Sequence, residues 1–145
     1  MSNPPKPERP PALDAALVQQ FVIAGHGNLA AVQTLLADTP ALLNAAWDWG
    51  GGDWETALGG AAHVGNVAIA RYLLAHGARM DIFAAAMLGE LDLVKAMLSA
   101  QPEALRSAGP HGIPLLTHAQ MGVRNGHAPA QAVVDYLQKR LDEAS

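Results

Sequence analysis

The chain has 145 residues, half of them hydrophobic, which is enough to bury one domain-sized core. Charged residues make up only 15% and the net charge is −4, with the nine Lys and Arg scattered, so nothing is present to neutralise a row of phosphates and a nucleic-acid partner is not expected. There is no Cys, which excludes disulfides, thiolate metal sites and Cys nucleophiles.

Residues 1–12 open the chain with five prolines between Met1 and Pro11. That composition predicts a disordered or polyproline-like tail, with a ligand for a Pro-binding domain as the alternative. It has no apolar stretch of the secretory-signal kind, and no run approaches the roughly 18 apolar residues of a membrane span, so a cytoplasmic protein without membrane contact is expected.

From Leu13 to Ala24, apolar residues at Leu13, Ala16, Leu17, Phe21 and Ala24 follow a helical spacing, with Asp14 in the first turn, where it favours the dipole. Gly25 and Gly27 break this helix. Asn28 can cap a second one carrying Leu29, Val32, Leu35 and Leu36, and Pro40 stops it. Another pair starts at Thr56 as N-cap, turns at Gly65-Asn66 and ends at His76-Gly77. A third runs from Asp81 to Leu88, turns at Gly89 and continues through Leu91, Val94, Met97 and Leu98. The fourth begins near Pro114, turns within Gly122 to Pro129 and proceeds through Val133, Val134, Tyr136, Leu137 and Leu141. No segment alternates with a strand period for long enough to predict a sheet.

The chain also repeats itself. Gly27, Leu29, Val32, Leu36, Pro40, Leu43 and Gly50 recur as Gly89, Leu91, Val94, Leu98, Pro102, Leu105 and Gly112, at one offset of 62 residues. Between them lies a variant, Glu55-Thr56-Ala57-Leu58-Gly59-Gly60-Ala61-Ala62-His63-Val64-Gly65-Asn66, followed by Tyr72-Leu73-Leu74-Ala75-His76-Gly77-Ala78. Repetition on this scale predicts stacked supersecondary units. These residues resemble the ankyrin repeat, with Gly112-Ile113-Pro114-Leu115 opening a further match, although Gly59, Phe83 and Leu116 stand where the family usually has His. The resemblance covers about residues 13–142 and implies an all-α, ankyrin-like solenoid of about four helix-turn-helix repeats, acting as an interaction scaffold. Only 24 residues separate Gly65 from Gly89, so the third unit should lack its finger; 38 separate Gly27 from Gly65, which predicts an enlarged finger over 45–55. About one extra helical turn is expected over 123–126, and such irregularity tends to mark the working face of an array.

All three Trp of the chain lie in Trp47-Asp48-Trp49-Gly50-Gly51-Gly52-Asp53-Trp54-Glu55. Indole rings supply amphipathic area of the kind found at interface hot spots, and the carboxylates can accept hydrogen bonds or receive a cation. The competing assignment is that the rings pack on the neighbouring finger and the acids cap or solvate. The Gly run has no following Lys-Ser/Thr and is flanked by acids, so it is not a phosphate loop. The corresponding segment one super-repeat later contains His111 and His118. Alignment puts His63 and Met87 on an exposed groove, while His118 falls where the family has a small buried Ala and needs a hydrogen-bond partner. His26, His76 and His127 lie at helix turns or ends, where imidazole commonly bonds a free carbonyl.

The chain has six His, but none forms a helical His-x₃-His pair or a His-Glu-x-x-His motif, so no metal and no cofactor are assigned. Nor does any nucleophile elbow appear. The expected function is therefore non-catalytic: a protein-binding scaffold, monomeric or weakly dimeric, whose contact surface is Trp47, Asp48, Trp49, Asp53, Trp54, Glu55, His63, Met87, His111 and His118. Its partner would be a protein segment with exposed apolar and basic residues. The alternative is a small enzyme or small-ligand receptor using Asp53, Glu55, His111 and His118 in a notch between two fingers.

Overall fold

The computed structural model describes all residues, 1–145. It is mostly helical: α1 (Ala15–Ala24), α2 (Leu29–Asp38), α3 (Ala57–Val64), α4 (Val67–Ala75), α5 (Ile82–Met87), α6 (Leu91–Ala100), α7 (Leu115–Arg124) and α8 (Ala130–Glu143). Two short strands, β1 (Ala46–Asp48) and β2 (Trp54–Thr56), form a hairpin between α2 and α3, and three short 3-10 turns cover Pro40–Asn44, Pro102–Arg106 and Pro110–Gly112. Residues 1–14 carry no helix or strand and are exposed. No helix is long and apolar enough to cross a membrane.

Five of the eight helix starts, those of α1 to α5, follow from side chains that satisfy free amides. Asn28 Oδ1 accepts from Ala31 N (3.0 Å), Thr56 Oγ1 from Gly59 N (3.0 Å), Asn66 Oδ1 from Ile69 N (3.0 Å) and Asp81 Oδ1 from Ala84 N (2.8 Å). Asp14 is an N-cap as well, accepting from Ala16 N, instead of lying inside the first turn.

Odd-numbered helices α1, α3, α5 and α7 pack in succession, each beside its following partner. Small residues permit the close approach: Ala57, Ala61, Ala62, Ala84, Ala85, Ala86 and Ala119 are all fully buried. Two apolar clusters result. One gathers Phe21, Val22, Val32, Leu58, Ile69, Leu73 and Met87 under the first half, and the other Val94, Leu98, Leu115, Val133 and Leu137 under the second. Each fully buried large side chain stabilises the fold by about 1.5–3 kcal/mol relative to exposure.

The third unit departs from its neighbours. Its first helix, α5, has six residues and no finger precedes it. Consequently α3 and α7 touch directly over α5, and Asn125 Nδ2 donates to Val64 O (3.2 Å) across that gap. Helix α7 has ten residues against eight in α3 and ends at Arg124, so the extension is two residues, about half of the expected turn, and residues 125–126 lie in the connection that follows.

The all-α expectation needs one correction. Strands β1 and β2 pair antiparallel with Ala46 opposite Thr56, Trp47 opposite Glu55 and Asp48 opposite Trp54. At three residues each, they are too short to declare a period in sequence. Between them Gly50, Gly51 and Gly52 have φ of 141°, 64° and 91°, a path open to Gly. Asp48 Oδ1 accepts from the amides of Gly50 (2.8 Å) and Gly52 (3.0 Å), closing the loop.

Candidate metal centre

Strand alternation sends Trp54 outward, 61% exposed, and Glu55 inward, 1% exposed. Glu55 therefore enters the molecule as a carboxylate among three imidazoles. His26 comes from the turn after α1, His63 from the last turn of α3, and His111 from the 3-10 turn before α7. One ligand atom from each of the four lies within 4.8 Å of the others.

The individual separations are short. His26 Nε2 is 3.0 Å from His63 Nε2 and 3.1 Å from Glu55 Oε1; Glu55 Oε2 is 3.0 Å from His63 Nε2 and 3.3 Å from His111 Nε2. Donors about 2.0–2.1 Å from a zinc-like ion stand about 3.3 Å apart along the edges of a tetrahedron. Glu55 Oε2 is buried and has no hydrogen-bond partner, although two imidazoles are beside it.

Outer contacts hold the donors in place. His26 Nδ1 donates to Val22 O (2.9 Å), which in the neutral ring leaves Nε2 with its lone pair facing the cluster. His111 Nδ1 donates to Asp53 Oδ2 (2.7 Å), with the same consequence for its Nε2. The Trp49 indole N–H donates to Glu55 Oε1 (2.9 Å) and fixes the carboxylate plane. A carbonyl and a carboxylate on the far ring nitrogens are the usual outer partners of metal-ligating His.

The loop carrying His111 is strained. His111 has φ 61°, the left-handed region, the one non-Gly residue in the chain with positive φ. That conformation costs on the order of 1–3 kcal/mol. It is held by two bonds to Asp53: the His111 amide donates to Oδ1 (2.8 Å) and the ring to Oδ2 (2.7 Å). The enlarged finger is thereby latched to the fourth unit across the position of the missing third finger.

No family model matches the chain, and no curated protein or solved structure matches it. The chemistry of the cluster therefore stands on its geometry.

Burial pushes the Glu55 carboxyl up, but the contacts with His26 and His63, together with the Trp49 N–H, outweigh it and hold the group at about 2. Glu55 is thus ionised throughout the neutral range. The same carboxylate raises the His26 imidazole above its ordinary value against the opposing effect of burial. The His111 amide and ring lower Asp53.

The other expected contact residues are distributed as follows. Trp47 packs partly buried against the first apolar cluster and Asp48 serves the Gly loop, while Trp49 (37% exposed) and Trp54 reach solvent. Three placements need correction as partner contacts: Glu55, Met87 and His118 are buried. Met87 leaves the expected groove because the fingerless third unit is roofed by α7; a Cβ on Gly122 of α7 would stand 2.2 Å from Met87 O. His118 does not join the cluster. Its Nδ1 donates to Pro114 O (2.8 Å), its ring lies 4.7 Å from Phe83, its Nε2 has no partner, and burial lowers its pKa. Of the four residues in the notch alternative, Asp53, Glu55 and His111 converge.

For His26 the sequence implies only a carbonyl bond, which it makes to Val22 O, yet its other nitrogen belongs to the cluster. The sequence signal was Gly60. A Gly inside a helix costs about 1 kcal/mol relative to Ala. Here a Cβ on Gly60 would stand 2.7 Å from Cε1 of His26. His76 and His127 make their carbonyl bonds, to Tyr72 O and Leu88 O, both at 2.8 Å.

Proposed function

We propose that this protein binds one divalent transition-metal ion through His26, His63, His111 and Glu55. The observation that carries the reading is the buried Glu55 carboxylate, whose Oε2 accepts no aligned hydrogen bond although it lies 3.0 Å from His63 Nε2 and 3.3 Å from His111 Nε2, within a set of three imidazoles, two of which have their far nitrogens held by Val22 O and Asp53. Three nitrogens and one carboxylate suit Zn, Fe, Ni or Cu(II) better than Mg or Ca, which take oxygen ligands. The ankyrin-like solenoid belongs to this reading as its frame, supported by the succession of helix pairs, and so does a cytoplasmic setting. In such a frame a short third unit is what lets donors from the first, second and fourth units meet.

Titration of chelator-stripped protein with Zn(II), followed by calorimetry, tests it. One ion per chain is expected, and Glu55→Gln or His63→Ala should weaken binding at least 100-fold. Absence of stoichiometric Zn(II) or Co(II) binding by the native chain overturns the proposal.

The scaffold function is a second reading, favoured by the 61% exposure of Trp54 on the outer face of the hairpin. A protein partner recovered with the native chain and lost with Trp54→Ala would support it. Metal binding by the inner face and protein contact by the outer face are compatible.

A further inference from the structure

Beside the cluster lies a cavity of about 310 Å³ lined by Ile23, His26, Trp49 and His111. Two of these four residues are metal donors, and they are the more open ones: the side chains of His26 and His111 are 26% and 34% exposed, against 14% for His63 and none for Glu55. An ion held by the cluster is closed on the Glu55 side and reachable from this cavity. The remaining walls are apolar. Ile23 is 52% exposed, and the Trp49 ring stands 5.9 Å from His111 and 6.5 Å from His26. The one polar atom of the Trp49 side chain is already committed to Glu55 Oε1, so the indole offers the cavity its ring surface and no further hydrogen bond.

Resting on the metal reading above, we infer that this cavity binds a small monocarboxylate, with its carboxylate oxygen as an additional ligand to the ion and its aromatic or aliphatic body between Ile23 and Trp49. Charge selects the head group. Among its direct ligands, three neutral imidazoles and one carboxylate leave a divalent ion with one positive charge uncompensated, and Asp53 stands a full ring further off, behind His111. No Lys or Arg lines the cavity, so the ion is the one attraction for an anion. Without the ion, the Glu55 and Asp53 carboxylates offset any charge that the imidazoles paired with them carry, and nothing is left to hold an anion. Binding is therefore metal-dependent. Size and surface select the body: the cavity is at the lower end of small-ligand sites, about 300–1,000 Å³, and takes one ring-sized group with no polar substituent to satisfy. Catalytic zinc centres pass from four to five ligands during reaction, and the same expansion on the open side of this cluster accommodates the incoming oxygen.

The test uses Co(II)-loaded full-length protein titrated with phenylacetate and, separately, with acetate, read by the visible bands of the ion. Phenylacetate is expected to shift the bands and to bind at least tenfold tighter than acetate. The metal-free chain should bind neither. Ile23→Asp, a change at a half-exposed position that places a negative charge at the mouth, should abolish the preference for phenylacetate. If Co(II) binds but the two carboxylates act equally or leave the bands unmoved, this inference falls and the metal centre stands. Should Co(II) itself fail to bind, both fall together.

Discussion

A Cβ at Gly60 would overlap the His26 ring, so the missing side chain is what admits that imidazole to the cluster. Two effects of Gly60→Ala then oppose each other. Alanine stabilises the middle of α3 by about 1 kcal/mol through backbone entropy, while its methyl group displaces a donor. The expected outcome is a chain at least as stable as the native one when metal-free, with Zn(II) affinity reduced tenfold or more. Thermal melts and calorimetry on the same preparation check both halves, and unaltered affinity would show that His26 is not a donor. Trp49 and Asp53 act at the same scale but one step removed. Neither supplies a ligand atom to the four-residue set; they fix the angle of Glu55 and the tautomer of His111.

Among the elements, the turns within helix pairs are the most exacting. Gly89 has φ 73°, and a Cβ there would stand 2.4 Å from the carbonyl carbon of Pro129, so both backbone conformation and space demand glycine. Gly89→Ala is expected to lose about 2 kcal/mol or more, seen as a lower urea midpoint at constant m-value. These turns and the caps Asn28 and Thr56 could be read in the chain because each is decided by residues three or four apart. The hairpin could be read only as an enlarged connection. Its pairing depends on two three-residue strands and on Asp48 closing a Gly loop, neither of which leaves a periodic mark. The site was less legible again. Glu55 stands out in the sequence for lying among the Trp residues, but its inward direction follows from a strand alternation only three residues long, and one carbonyl bond already accounts for His26 at a helix turn.

Over the whole molecule, the donors come from three of the four helix pairs and their connections, and no local spacing links them. What brings them together is the shortness of the third unit, which was visible as 24 residues between Gly65 and Gly89. The consequence, direct contact of α3 with α7 and the latch of Asp53 on His111, is a tertiary effect with no signature in either segment alone. An ion at the cluster would add a further tie between the same units. Removing it with a chelator should raise amide hydrogen exchange in residues 46–56 and 108–114 well before it does so in α4 or α8. Uniform exchange with and without metal would show that the hairpin and the His111 loop are held by protein contacts alone.

The strain at His111 gives that residue a distinct place in the order of assembly. His26, Glu55 and His63 are translated first, and His111 follows 48 residues after His63. At about 5–20 residues per second, a nascent chain waits roughly 2–10 s with three donors made and the fourth not yet synthesised. In the folded chain the left-handed backbone of that residue is held by two bonds to Asp53, a residue of the hairpin made earlier. On the metal reading, full coordination is therefore a finishing step, available only to a chain whose fourth unit has emerged and docked.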